Sequence, residues 1–192
     1  CKQNGAMDFD DLLLQTNILL RDCPDVLAKY QELFQYILVD EYQDTNKAQY
    51  IIIRRLSQLH GRVCVVGDDA QSIYSFRGAK IENILSFRND YPAAQTFKLE
   101  QNYRSTQTIV NAANSVIERN SRRMEKKCFS EGDAGEKIRV VRTYTDREEG
   151  DIIANALRDH IRESGDSWNE AAILYRTNNQ SAVIEQALRR RG

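Results

Sequence analysis

Two short, unbroken apolar runs, each ending abruptly in carboxylates, constrain this chain more than any other feature. Tyr36-Ile37-Leu38-Val39 stops at Asp40-Glu41, and Val63-Cys64-Val65-Val66 stops at Gly67-Asp68-Asp69. An apolar run without alternation marks a strand buried on both faces of a parallel sheet. Between the runs, residues 47–59 place Tyr50, Ile53 and Leu56 on one side of a helix. Strand, helix, strand implies a right-handed parallel crossover, so the fold class read here is α/β.

The alternation continues on both sides. Residues 8–20 carry Phe9, Leu12, Leu13, Ile18 and Leu20 at helical spacing behind Asp8, Asp10 and Asp11, which suit a helix N-terminus. Further helices are predicted over 25–34, 81–87, 106–118, 147–161 and 180–190, and further strands over 96–99, 138–144 and 171–175. The stretch 130–136, with Gly132 and Gly135, reads as a linker or turn. These elements suggest two sheet-based units with a boundary near residues 99 to 106.

A chain of 192 residues with 41% apolar side chains can bury one core or two small ones. Its 27 basic and 28 acidic residues nearly cancel, so no global field recruits a polyanion or an anionic membrane. Any nucleic-acid site must therefore be local. Cys1, Cys23, Cys64 and Cys128 form no C-x-x-C pair and no Cys/His spacing for zinc, which predicts reduced thiols in a cytoplasmic protein. No apolar run approaches the roughly 18 residues of a membrane span, and Lys2-Gln3-Asn4-Gly5 lacks the order of a signal peptide. A chain that opens on Cys1 and stops at Gly192 straight after a helical pattern is expected to be a segment of something larger.

Ligands of open α/β sheets bind outside the carboxyl ends of the strands, which is where Asp40 and Glu41 stand. Such a pair can hold Mg²⁺ through one carboxylate while the other takes a proton from an attacking water. It can equally be two carboxylates solvated at a strand end. A third reading joins Asp44 to them as a carboxylate metal nuclease. Tyr74, Phe76 and Arg77 form a second group: aromatic faces stack on bases irrespective of sequence, and a cation beside them meets phosphates. Core packing is the competing reading for these rings.

Taken with the motifs around them, these residues resemble the superfamily 1 DNA helicases of the UvrD, Rep and PcrA type. The matching blocks are Asp-Phe-Asp-Asp-Leu-Leu at 8–13, DExxQD at 40–44, GDxxQSIYxFRGA from Gly67, NYRS from Asn102, and Leu174-Tyr175-Arg176-Thr177-Asn178-Asn179-Gln180-Ser181. They stand in family order across nearly the whole chain. The resemblance implies parts of two RecA-like parallel-sheet domains of the P-loop NTPase type with flanking helices: the back of the first over 1–98 and the front of the second over 99–192.

By the same resemblance Asp40 and Glu41 serve Mg²⁺, with Glu41 as the base toward water. Gln71 senses the γ-phosphate, and Tyr103 stacks on the adenine of ATP. Arg104 reaches the phosphoryl group as an arginine finger, a task its planar fork suits. Tyr74, Phe76 and Arg77 contact single-stranded DNA, as do Arg176 and Asn178 from the second domain. The implied activity is ATP-dependent translocation on single-stranded DNA and unwinding at duplex junctions, in DNA repair or replication. A nuclease-linked relative falls within the same resemblance. The alternative from another class is a single-stranded nucleic-acid-binding module that does not hydrolyse ATP; Glu41, Gln71 and Arg104 together argue against it.

No Gly-Lys dipeptide occurs, so the phosphate-cradling G-x-x-x-x-G-K-[ST] loop is absent from these residues. The segment alone is therefore expected to be inactive. The basic cluster Arg119, Arg122, Arg123, Lys126 and Lys127 offers a contact for DNA, but Glu118 and Glu125 interleave with it, which favours a solvated helix end. Trp168 is expected to close a core, and His60 and His160 receive no role.

Overall fold

The computed structural model describes residues 5–191, so Cys1 and the Lys2-Gln3-Asn4 start lie outside the described residues. Helix α1 (Phe9–Asp22) begins where its sequence provides a reciprocal cap: Asp11 N donates to Asp8 Oδ1 at 2.8 Å and Asp8 N donates to Asp11 Oδ2 at 3.3 Å. This satisfies two amides that have no partner inside the helix. Helix α2 (Pro24–Leu33) starts on a proline, whose fixed φ suits the first turn. Strand β1 (Ile37–Val39) follows, then α3 (Lys47–Ser57), capped by Asn46 and Gln49 in the same reciprocal way. Strand β2 (Val63–Val65) completes the crossover.

Strands β1 and β2 pair in parallel with Ile37 opposite Val63, Leu38 opposite Cys64 and Val39 opposite Val65. The expected parallel strands are therefore present, but burial on both faces is not. Leu38 is 76% exposed and Cys64 is exposed as well. Along both strands the outer residues are partly buried and the middle one is exposed, so one face of the ribbon is covered more than the other.

Packing divides the chain into two compact units, one running through Glu136 and the other from Lys137. In the first, α1 lies against α2 and α3. Tyr42, fully buried, meets Phe87 edge-on at 5.7 Å, and Phe87 meets Tyr91 at 4.7 Å. Short helix α4 (Glu82–Leu85) buries Asn83 and Ile84, α5 (Phe87–Asp90) carries Phe87 and ends at Tyr91, and α6 (Gln107–Ile117) buries Val110 and Asn114. In the second unit α7 (Asp146–Ser164) packs on α8 (Asn178–Arg189) around Ala154, Ile184 and Ala187. Gly150 permits that approach: a Cβ there would lie 3.2 Å from both Ala187 Cβ and the Val183 carbonyl.

The strands predicted over 96–99, 138–144 and 171–175 are not formed. A strand exists only through a partner, and these segments find none among the described residues. Leu99, Val140 and Leu174 are correspondingly 86%, 89% and 95% exposed. Near the first of them a single parallel bridge joins Gln101 to Phe129. The one sheet among the described residues is the β1–β2 pair.

Candidate functional site

The carboxyl end of β1 is shaped by Glu41, which has φ 49° and ψ 41°. It is the only non-glycine residue with positive φ among the described residues. A glutamate pays an energetic penalty in this left-handed region, so the surroundings must hold it there. Asp40 Oδ1 accepts from Glu41 N at 2.9 Å, and Glu41 Oε2 accepts from Gln43 Nε2 at 2.7 Å. Gln43 is 1% exposed, and its Oε1 accepts from Asp68 N at 2.9 Å. One buried amide thus joins the loop after β1 to the loop after β2. Glycine at position 67 is required by this contact, since a Cβ there would stand 2.5 Å from Gln43 Oε1 and 2.8 Å from Ile84 Cδ1.

Asp40, Glu41 and Asp44 line a cleft of about 520 Å³ together with the apolar Leu13, Ile52 and Ile53. Among the described residues no three acidic, His or Cys groups converge as metal ligands. Asp40 is exposed, and among the described residues its Oδ2 makes no hydrogen bond, so it fits the use Mg²⁺ makes of one carboxylate when phosphates and water fill its shell.

Gln71 closes the short turn Asp69–Gln71, and its Nε2 donates to Asp68 Oδ2 at 2.9 Å. Asp68 Oδ1 accepts from Ala70 N at 2.9 Å and from Lys126 Nζ. The same ammonium reaches Asp69 Oδ1 at 3.0 Å, while Asp69 Oδ2 accepts from Met124 N at 2.7 Å. Burial disfavours ionised Asp68, but hydrogen bonds from Lys126, Gln71 and Ala70 outweigh it and hold the carboxyl below the usual aspartate range. Burial likewise opposes the charge of Lys126, yet its bonds to Asp68 and Asp69 raise its pKa above that of an ordinary lysine.

Tyr74 and Phe76 stack at 5.9 Å between centroids and 27° between planes. The Arg77 guanidinium lies 5.5 Å from the Tyr74 centroid and 5.6 Å from that of Phe76. Phe76 is 75% exposed, so the ring is not packed into a core among the described residues. Gly78, at φ 84°, ends the turn that presents the group. Asp10, from the acidic start of α1, lines a neighbouring cleft together with Tyr74 and Arg77.

Tyr103 and Arg104 occupy a separate turn. Asn102 Oδ1 accepts from Arg104 N at 3.0 Å and Ser105 N at 2.8 Å, which fixes the backbone and leaves both side chains exposed. Tyr103 OH donates to Gln101 Oε1 at 2.8 Å. No hydrogen bond or ion pair joins either residue to Asp40, Glu41 or Gln71. Within the second unit, Arg176 and Asn178 are exposed at the start of α8 rather than at the end of a strand. Gln180 Oε1 accepts from Arg176 N at 3.0 Å and Thr177 N at 2.9 Å.

Two residues of this network escaped sequence reasoning. Gln43 stood inside the DExxQD block, but a neutral amide gives no sign that it will be buried. Lys126 was grouped with a solvated cluster, whereas its side chain is only 20% exposed and is fixed on Asp68 and Asp69. Helix α6 stops at Ile117, before that cluster. Trp168, expected in a core, is 52% exposed.

Two parallel strands with carboxylates at their carboxyl ends, and stacked exposed rings on a later turn, define this as an α/β unit whose polar groups gather at the strand ends. The family model for the UvrD/REP helicase N-terminal domain matches residues 1–92, and that for the UvrD-like helicase C-terminal domain matches residues 97–192. The chain belongs to the UvrD-like helicase family. It is 51% identical over 184 residues to the ATP-dependent DNA helicase PcrA of Staphylococcus epidermidis strain RP62A, covering 96% of this chain and 25% of the relative. Against the ATP-dependent DNA helicase PcrA of Staphylococcus aureus strain Mu50 the identity is 52% over 184 residues, with the same coverage. The chain thus spans about a quarter of the length of these relatives. No described helix is long and apolar enough to cross a membrane.

Proposed function

We propose that these residues form the middle of an ATP-dependent DNA helicase, the parent protein below, which moves along single-stranded DNA and opens duplex junctions. Residues 1–98 would supply the back of a first RecA-like domain and residues 99–192 the front of a second. The observation that carries this reading is the Gln43 bridge, which holds the base loop at Glu41 against the sensor loop at Asp68–Gln71. Hydrolysis that drives movement needs those two loops to respond together.

In this reading Asp40 helps hold Mg²⁺, which when bound neutralises charge on the ATP phosphates. Glu41 accepts the proton of the attacking water at its carboxylate. Gln71 suits the sensor role because an amide donates to a phosphate oxygen and accepts from a water. Tyr103 provides a face for adenine, and Arg104 stabilises charge on the transferred phosphoryl group. Tyr74, Phe76 and Arg77 grip single-stranded DNA, and Arg176 and Asn178 add contacts from the second domain.

Phosphate release tests this directly. The parent should hydrolyse ATP with strong stimulation by single-stranded DNA. The 192 residues alone lack the phosphate loop and should show no turnover, with ATP bound no better than about millimolar, or roughly 4 kcal/mol. A parent without DNA-stimulated hydrolysis, or micromolar ATP binding by the segment alone, would contradict the assignment.

A further inference from the structure

Lys126 is joined to the sensor loop through two carboxylates that differ in what they hold. Asp69, buried, takes Lys126 on one oxygen and Met124 N on the other, which clamps the backbone of 124–126 to the turn. Asp68 takes Lys126 and Ala70 N on Oδ1 and presents Oδ2 to the side-chain amide of Gln71. The ammonium therefore sits one carboxylate away from the proposed phosphate sensor. Lys126 belongs to the stretch matched by the C-terminal family model, whereas Asp68, Asp69 and Gln71 belong to the N-terminal one.

Two adjacent carboxylates beside a site for a polyanion need a counter-charge, and a half-buried pair needs it more than a solvated one. Lys126 is the only cation bonded to either carboxylate among the described residues. Its withdrawal would leave Asp68 more basic and free to compete with a phosphate for the Gln71 amide. Its presence tempers that competition and fixes the direction from which Asp68 accepts Gln71.

Resting on the helicase reading above, we infer that Lys126 is a positioning residue for Gln71. Acting through Asp68, it forms a latch by which the C-terminal stretch sets the state of the phosphate sensor. In the present arrangement the latch is closed, with Gln71 held on Asp68. Turning Gln71 toward a phosphate breaks one hydrogen bond and leaves the Lys126 ion pairs to hold the loop in place.

The test uses the full-length parent with Lys126→Met, Lys126→Arg and Asp68→Asn. Lys126→Met should lower the kcat of DNA-stimulated ATP hydrolysis about tenfold, the ordinary scale of coupling between sites, while the KM for ATP moves less than about threefold. Single-stranded DNA affinity without nucleotide should not change. Lys126→Arg, which keeps the charge, should recover most of the loss. Asp68→Asn leaves the Lys126–Asp69 pair and the Met124 bond in place, so the fold stays clamped even if Lys126→Met is unstable. In that background the carboxylate that competes for Gln71 is gone, so adding Lys126→Met should lower kcat less than about threefold further.

Normal kcat in Lys126→Met alone, or a full tenfold fall when Lys126→Met is added to Asp68→Asn, overturns the inference while leaving the helicase reading intact. So does a loss in Lys126→Met spread equally over kcat, KM and DNA affinity with a lower melting temperature, which would mark a purely structural lysine. A wild-type parent without DNA-stimulated hydrolysis overturns the helicase reading, and the latch with it.

Discussion

Gln43 donates to Glu41 Oε2 over 2.7 Å and holds the carboxylate of a residue whose backbone is itself left-handed. Neither feature is free: an amide buried to 1% exposure must be satisfied at both ends, and a glutamate at φ 49° must be held by its neighbours. Gln43 meets the first requirement by accepting from Asp68 N, and by doing so makes the loop after β2 part of what fixes Glu41.

Gly67→Ala should therefore be costly. The added Cβ would lie 2.5 Å from Gln43 Oε1 and 2.8 Å from Ile84 Cδ1, and both sit in packed surroundings that yield little. The expected loss of stability is about 1–3 kcal/mol, the usual range for overpacking, read from denaturant unfolding. An unchanged unfolding midpoint would mean that the two loops are not held against each other as described.

Phe76→Ala should weaken single-stranded DNA binding by the parent by about 1–3 kcal/mol, since only a base stack is removed. Stability should not fall, because the ring is 75% exposed. Phe76→Trp should bind at least as well. Fluorescence anisotropy with a labelled oligonucleotide checks both variants. A destabilised Phe76→Ala with undiminished DNA affinity would place the ring in a structural role.

Acid below the ordinary aspartate range and strong alkali should each loosen the sensor loop, and neutral conditions should not. Asp68 has a folded pKa below its ordinary 3.8, so its contribution to stability is present above that value and is lost as pH falls toward the lower folded value. Lys126 has a folded pKa raised above 10.5, so its share is whole below that pH and is lost as pH rises through the raised value. The pair is thus intact from about pH 4 to pH 10. Asp68→Asn should flatten the acid limb of the stability profile measured by urea unfolding; an unaltered limb would assign the acid loss to other carboxylates.

Sequence reasoning found the part of the fold whose partners lie close along the chain. The runs at 36–39 and 63–66 pair with each other, and the helix between them is visible in its periodicity. The run at 171–175 looks equally apolar but has no strand beside it, and an apolar run shows that cover is needed without showing what provides it. Of the candidate site residues, the sequence places Asp40 and Glu41 at the end of a strand that the structure forms. Lys126 was not legible, because a run of alternating charges does not reveal which cation folds back on carboxylates 57 and 58 positions away. Gln43 was hidden for a different reason: its importance lies in two hydrogen bonds, and neither leaves a pattern in hydropathy or charge.

The central claim is that Glu41 is the proton acceptor of an ATP-hydrolysing site, and Glu41→Gln in the parent tests it most directly. The substitution keeps the shape and removes the basic oxygen. Measured by phosphate release with saturating single-stranded DNA, turnover should fall at least about a hundredfold, the scale of a lost general base, while ATP and DNA still bind. Near-normal turnover in that variant would contradict the account.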